Sequence, residues 1–177
     1  MTKKLFSIIA ITAILFTVAC KKVNDLLTFQ VGYTSKVSIP PTSSINLPFD
    51  LFTPSITTNS ETEFSSRNTN KNLIDKITLN QMKLTITSPT DQRFDFLSSV
   101  EVYIQADGLG ELKIAESINI PDNIGNVLTL TVAGNDIAAY VKKDKFTLRV
   151  KTVTDKSTTR QINIDIFSEF QVKAKLL

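Results

Sequence analysis

The sequence predicts an all-β fold, an antiparallel β-sandwich of about seven or eight strands with immunoglobulin-like or jelly-roll-like connections. Apolar and polar residues alternate at period two over most of the chain after residue 26. Turn residues separate these segments at intervals of roughly 8 to 16 residues, as in sandwiches. Alternation of this kind leaves one face of each sheet in solvent, which parallel βαβ architecture does not. The Cys and Trp signature of immunoglobulin domains is absent, so the prediction concerns architecture alone.

The first predicted strand begins at Leu27 and alternates through Tyr33. The apolar positions resume at Val37 and Ile39. Because Ser35 interrupts the apolar set, we expect a bulge or bend at this residue.

Residues 40–70 contain four prolines and many Ser, Thr and Asn residues, with Phe and Ile spaced between them. Proline cannot donate to a sheet ladder, so strands here are expected to be short or at an edge. Two interpretations remain open, a long connection packed down by its aromatic residues and an exposed binding loop. The tendency of Phe to be buried favours packing.

The middle of the chain predicts four further strands, separated by Pro-, Asp-, Asn- and Gly-containing turns. Their apolar positions fall within residues 82–86, 100–106, 112–120 and 128–132. The Asp107-Gly108 turn predicts a hairpin-like connection between the second and third of these strands.

The last part of the chain predicts one short helix and two strands. Gly134-Asn135-Asp136 is typical of a helix cap, so we expect a helix of about two turns near 135–143. A strand follows at 146–150, and the segment 162–176 alternates with even parity, interrupted only at Ser168. Since strands seldom exceed about ten residues, we expect a bend near 167–169 that passes this strand from one sheet to the other.

The N-terminus has the features of a secretory signal. Lys3 and Lys4 precede a mostly apolar segment at 5–19, which is shorter than the roughly 20 residues of a spanning helix. Ala19 and then Cys20, the single cysteine of the chain, end this segment. Charged residues begin immediately afterwards.

This segment resembles the signal peptides of bacterial lipoproteins, in which a small residue precedes the acylated cysteine. The resemblance implies cleavage between Ala19 and Cys20, lipid attached to Cys20, and tethering to a membrane. It divides the chain into a signal peptide (1–19), a lipidated N-terminus with a short tether (20–25) and a β-sandwich domain (26–177). Thr17 departs from the pattern, because the family usually has Leu there, and cleavage by ordinary signal peptidase or an uncleaved anchor remain alternatives.

The two residues after Cys20 bear on localisation. Lys21 and Lys22 are not the acidic pair that retains some lipoproteins at an inner membrane, so outer-membrane placement is favoured. The sequence leaves open whether the domain faces the periplasm or the medium.

Composition excludes several classes of chemistry. The chain has no His, and its one cysteine is committed to lipid, which removes histidine- and thiol-dependent catalysis and the usual zinc sites. Its five glycines form no phosphate-binding loop. Two of the 20 basic residues lie in the signal, so the remainder nearly balances the 17 acidic residues, without the basic patch that nucleic-acid binding needs. We therefore predict no cofactor, no metal and no nucleic-acid partner, and the oligomeric state stays undetermined.

Carboxylates and tyrosines are the remaining candidate site residues. Asp91 with Asp95, or Asp107 with Glu111, offers oxygen ligands for calcium, but neither pair matches an EF-hand loop, so solvated turn carboxylates are the favoured interpretation. Tyr103 points away from the apolar face of its strand and is a candidate ligand contact. An outward tyrosine on a strand is more often a cross-strand packing residue.

These observations predict a non-catalytic envelope module with a binding, structural or accessory role. Its expected partners are the membrane, through the lipid, and envelope proteins or glycans. A carboxylate-dependent polysaccharide hydrolase is one alternative, since a glycosidase needs only two acids. A carrier of a hydrophobic ligand is the other.

Overall fold

Two antiparallel sheets facing each other form the fold in the computed structural model, which describes residues 28–43 and 45–175. The predicted all-β sandwich is thus confirmed. Ala19 and Cys20 lie outside the described residues.

The first sheet has four strands in the order β1-β10-β4-β7. In that order their bounds are Thr28–Ile39, Ile162–Ala174, Ile74–Ser88 and Val127–Thr129.

The second sheet has six strands in the order β2-β9-β5-β6-β8, with β3 also paired to β9. Their bounds are Pro48–Phe52, Lys145–Thr154, Leu97–Gln105, Leu112–Ile118, Thr131–Val132 and, for β3, Ile56–Thr57. The described residues therefore contain more strands than the seven or eight predicted, because β2 and β3 are too short to show a period and the strand predicted at 128–132 is divided into β7 and β8.

Aromatic side chains fill the space between the sheets. The rings of Phe146 (β9) and Phe170 (β10) lie 5.9 Å apart between centroids, and Tyr33 (β1) lies 5.7 Å from each of them. Burial, with a smaller contribution from Glu63, raises the pKa of Tyr33 to about 12. Its hydroxyl therefore stays protonated and donates to the Thr58 carbonyl at 2.6 Å.

The expected bulge at Ser35 is wrong. β1 pairs with β10 in an uninterrupted register, and Ser35 faces inward with the residues of its parity. A small hydroxyl side chain fits this inward position, so a polar residue in the apolar set does not break the ladder.

The expected parity of the 112–120 segment is wrong at Ile118, although Ile120 is buried as expected. A register shift places Ile114 as an extra residue of β6 opposite the step from Val102 to Tyr103. Ile114 and Ala115 are consecutive and both buried, and the later residues of β6 change face. Ile118, which we expected inside, is 63% exposed.

The chain changes sheets at Leu130, not near residues 167–169 as predicted. β7 pairs with β4 and β8 pairs with β6, while the Leu130 N–H donates to the Met82 carbonyl at 3.0 Å. β10 stays in one sheet over its full length and keeps its buried even-numbered face. The irregularity near Glu169 is a one-residue shift in the pairing with β4.

Two short helices interrupt the strands of the described chain. Helix α1 spans Ser60–Ser65 within the 40–70 segment, where no helix was predicted. Phe64 of α1 is buried and packs edge-on against Phe29 at 6.1 Å, which agrees with the favoured packing interpretation. Helix α2 spans only Ala138–Val141, one turn instead of two. The Asp136 carboxylate accepts from the N–H groups of Ala138 and Ile77, and so joins this turn to β4.

Candidate functional site

The outward face of the six-stranded sheet carries the densest group of charged side chains in ordered contact. β5 and β9 are neighbours in this sheet, and every second residue of each strand points to solvent. The register places Tyr103 beside Arg149, and Phe52 of β2 on the other side of Arg149. Strand pairing thus assembles a row from three distant parts of the chain.

Arg149 is the centre of this row, and its side chain is only 15% exposed. One guanidinium nitrogen donates to the Asp50 carboxylate at 2.6 Å. Nε donates to Glu111 at 2.7 Å, and a second terminal nitrogen donates to the other oxygen of the same carboxylate. The guanidinium carbon lies 4.2 Å from the centroid of the Tyr103 ring, in a cation–π contact.

We call this group the Arg149 cluster, defined as Asp50, Tyr103, Gln105, Glu111 and Arg149. The Gln105 amide donates to Glu111 at 2.6 Å. The hydrogen bond from Arg149 holds the pKa of Glu111 below its usual value, and the same contact raises the pKa of Arg149. Both groups are therefore fully ionised, and the side chains are held in one arrangement.

A second charged network lies beside the cluster on the same face. Glu101 accepts from Lys151 at 3.1 Å and from Lys113 at 3.4 Å, and Lys113 also donates to Glu116 at 2.7 Å. These contacts hold the pKa of Glu101 below its usual value, with Lys151 the largest cause. The alternating charges stabilise the cross-strand register.

A cleft of about 470 Å³ adjoins the Arg149 cluster. Gln105 and Glu111 belong to both, and the turn between β5 and β6 forms much of the wall, including Asp107 and Gly108. Phe52, next to Arg149, is 59% exposed. An exposed aromatic ring, fixed polar groups and a concave surface therefore lie close together.

The structure brings some of the sequence-predicted residues together and separates others. Tyr103 belongs to the Arg149 cluster, where Arg149 covers its ring. Glu111 is held by Arg149, whereas Asp107 lies in the cleft wall.

The two carboxylates of the other predicted pair are each bound by a different basic side chain. Asp91 accepts two hydrogen bonds from Arg160 at 2.9 and 3.1 Å, and Asp95 lies 3.4 Å from Lys156. Within residues 28–43 and 45–175, no group of three or more acidic, His or Cys side chains is arranged to hold a metal ion.

Asp50, Phe52 and Arg149 are site residues that sequence reasoning missed. Arg149 does occupy the outward parity of a predicted strand, which is the only signal that it faces solvent. Its partners are set by pairing between β2, β5 and β9, and strand order is not encoded in any local pattern.

None of the helices in the described part of the chain has the length and apolar character needed to cross a membrane.

Comparisons with known proteins give only distant similarities. No protein-family model matches the chain, and no curated protein matches it in sequence. Among solved structures, the decameric BFDV capsid protein is similar with a TM-score of 0.45 at 9% identity, over 84% of this chain and 98% of that chain. CpGH89CBM32-5 from Clostridium perfringens, in complex with GalNAc-β-1,3-galactose, gives 0.35 at 10% identity, over 77% and 94%. The C-terminal domain of a chitobiase from Bacteroides fragilis gives 0.34 at 14% identity, over 76% and 68%. With scores and identities this low, the similarities assign no function to the chain.

Proposed function

We propose that this chain is a lipid-anchored, non-catalytic module of the cell envelope that binds a glycan on the outward face of its six-stranded sheet. The observation that carries the proposal is the Arg149 cluster, which lies beside the exposed Phe52 ring and a cleft of about 470 Å³.

The chemistry of this surface suits a polyhydroxylated ligand. Each sugar hydroxyl both donates and accepts, and the carboxylates of Asp50 and Glu111 retain lone pairs beyond those used by Arg149. The Tyr103 hydroxyl can donate or accept, and the Phe52 ring offers a π face to the C–H groups of a sugar ring. Because strands and cross-strand ion pairs hold these groups, little ordering is required on binding.

The electrostatics of the cluster support a binding role over hydrolysis. A glycosidase needs one carboxyl that stays protonated near neutral pH to act as the general acid. Here Asp50 and Glu111 share one guanidinium, and the pKa of Glu111 is lowered. This environment stabilises carboxylates and not a proton donor.

The interior of the sandwich supports glycan binding on the outside of the domain over carriage of a hydrophobic ligand inside it. Phe64, Phe94, Phe146 and Phe170 are all less than 2% exposed, and the rings of the last two are in mutual contact. A carrier of this architecture would need empty volume where these rings lie.

The anchor part of the proposal is supported by the residues around Cys20. We infer cleavage after Ala19 and acylation of Cys20, with Lys21 and Lys22 favouring the outer membrane. Residues 21–27 separate Cys20 from β1, and even a fully extended stretch of that length spans only about 25 Å. The domain would therefore stay close to the lipid surface.

Glycan binding is tested by replacing the exposed ring. The full chain in detergent is screened against soluble peptidoglycan fragments and bacterial and plant polysaccharides, and the ligand found is titrated calorimetrically. Phe52→Ala is expected to weaken binding about fivefold, because stacking on an aromatic face contributes about 1 kcal/mol. Ile118→Ala is the matched control, since Ile118 is about equally exposed on the same sheet but lies outside the row that contains Phe52 and Arg149. This variant should bind the glycan as tightly as the parent chain. Absence of glycan binding, or equal losses in both variants, would refute the proposal.

Anchoring is tested in a bacterial host supplied with an alkyne analogue of palmitate. The parent chain is expected to be labelled, shortened and recovered with membranes, while Cys20→Ala should be unlabelled and retain the signal. Normal processing of Cys20→Ala, with no label on either protein, would contradict the acylation.

A further inference from the structure

β1 forms the longest open sheet edge in the described part of the chain. It has 12 residues, whereas the other edge strands β2, β3, β7 and β8 have 5, 2, 3 and 2. An edge strand exposes unpaired N–H and C=O groups, and proteins commonly shorten such strands to prevent association. β1 is not shortened.

Apart from one lysine, β1 also lacks the other common forms of edge protection. It contains no proline, its ladder with β10 has no bulge, and Lys36 is its single charged residue. Among described residues, its main chain pairs with β10 alone. Alternate residues of an antiparallel strand direct their N–H and C=O groups to opposite sides, so about half of those in β1 face the open side.

We propose that two copies of this chain associate through β1, antiparallel about a two-fold axis at Thr34, and merge their four-stranded sheets into one. In this register Phe29 faces Ile39 of the second copy and Val31 faces Val37, so inward-facing apolar residues meet one another. On the outward face, Thr34 meets its own counterpart, a favourable cross-strand pair.

Charge complementarity at Lys36 selects this register and favours a second copy as the occupant. Within its own chain Lys36 lies opposite Asp165 of β10 but forms no ion pair with a described residue, and in this register it faces Gly32 of the second copy. Gly32 pairs with Glu169 of β10, and the Phe167 ring lies over it, 3.2 Å from where a Cβ would stand. The Glu169 carboxylate accepts a hydrogen bond from Asn80 through one oxygen, and its other oxygen is left for a second donor. Because Gly32 has no side chain, the Lys36 ammonium can reach this carboxylate and ring. Because of the two-fold axis, the same contact of Lys36 forms in both directions between the two copies.

Disulfide trapping tests the register directly. In a full-length Cys20→Ser chain purified in detergent, an introduced cysteine is the only thiol. Thr34→Cys is expected to form a covalent dimer under mild oxidation, because directly opposed residues have Cα atoms about 4.5 to 5.5 Å apart. Ser38→Cys is the matched control on the same face of β1. It faces Gln30 of the second copy, and the two introduced thiols are about 27 Å apart, so it should stay monomeric on a non-reducing gel.

Charge reversal independently tests whether a second copy of the chain pairs with β1. Light scattering after size exclusion is expected to give a dimer for the Cys20→Ser chain. Lys36→Glu should raise the dimer dissociation constant at least tenfold, and adding Glu169→Lys should restore it. Circular dichroism of each variant checks that the fold is retained.

Three outcomes would overturn the inference. They are a monomer at all concentrations, equal trapping at positions 34 and 38, and a purified chain that remains monomeric while Thr34→Cys, oxidised in intact cells, links to a different protein. The last outcome would mean that β1 pairs with a strand of a different protein. None of these results depends on glycan binding or on acylation.

Discussion

Arg149 shows how much one side chain organises the outward face. Its guanidinium bonds two carboxylates from different strands and turns, and its flat face covers Tyr103. A planar fork with five donors makes these contacts together, which a lysine ammonium cannot do. The Arg149 cluster therefore depends on the shape of this residue as well as on its charge.

Replacing Arg149 with Lys is expected to lower the free energy of unfolding by about 1 kcal/mol, because the parallel bonds and the ring contact are lost while the charge remains. Urea denaturation measures this as a lower midpoint with an unchanged slope. The matched control is Arg160→Lys, since Arg160 also bonds one carboxylate through two nitrogens, but its side chain is 53% exposed. Arg160→Lys should show no measurable change, and equal losses would contradict the special role of Arg149.

Glu101 and Glu111 make the stability of the fold depend on pH. Their pKa values are lower in the folded chain than in the unfolded chain, so the folded state holds fewer protons in acid. The resulting stabilisation is complete above the ordinary glutamate pKa of about 4.3 and is lost as pH falls through the lowered values. We expect the melting temperature, followed by circular dichroism, to fall below about pH 5. A Glu101→Gln/Glu111→Gln chain should show a shallower fall, and parallel curves would show that these two groups contribute nothing.

At the scale of elements, alternation in the sequence predicts the strands that keep one parity and fails where a bulge changes it. β10 keeps its even-numbered residues buried throughout, as its pattern predicts. β6 does not, because the extra residue Ile114 turns Ile118 outward, and a bulge depends on the partner strand. The very short strands β7 and β8 are likewise defined by their partners.

The candidate site was predictable only in part for the same reason. Tyr103 and Glu111 stand near a predicted hairpin, and that hairpin is present. Asp50 and Arg149 join them through a strand order in which β9 lies between β2 and β5. Such an order is decided by packing of the whole chain.

Substitutions at two adjacent residues of β10 test whether one face of this strand is buried and the other exposed. Phe170→Ala is expected to lower the free energy of unfolding by about 3 to 5 kcal/mol, because Phe170 is fully buried against Tyr33 and Phe146. Gln171→Ala, one residue further on the exposed face, should change it by less than about 0.5 kcal/mol. Chemical denaturation of both variants gives the comparison. Similar losses would mean that β10 does not have one buried and one solvated face.

At the scale of the whole molecule, most neighbouring strands are distant in sequence. Among described strands that directly follow one another, only β5 and β6 are paired. β10, near the end of the chain, lies between β1 and β4. The four-stranded sheet therefore needs residues from both ends of the domain.

Removing residues 162–177 is expected to abolish cooperative unfolding, because β1 and β4 then have no common neighbour. Differential scanning calorimetry of the truncated chain should show no transition. The counterpart is a chain that begins at residue 26, the predicted domain boundary, which should melt cooperatively. A sharp transition in the chain without residues 162–177 would show that β10 is dispensable.

The central place of β10 has a consequence for the order in which the four-stranded sheet forms during synthesis. A ribosome delivers β10 after the other described strands, so the sheet that depends on it closes only once β10 has emerged. A product cut short before β10 by a premature stop codon would never close that sheet.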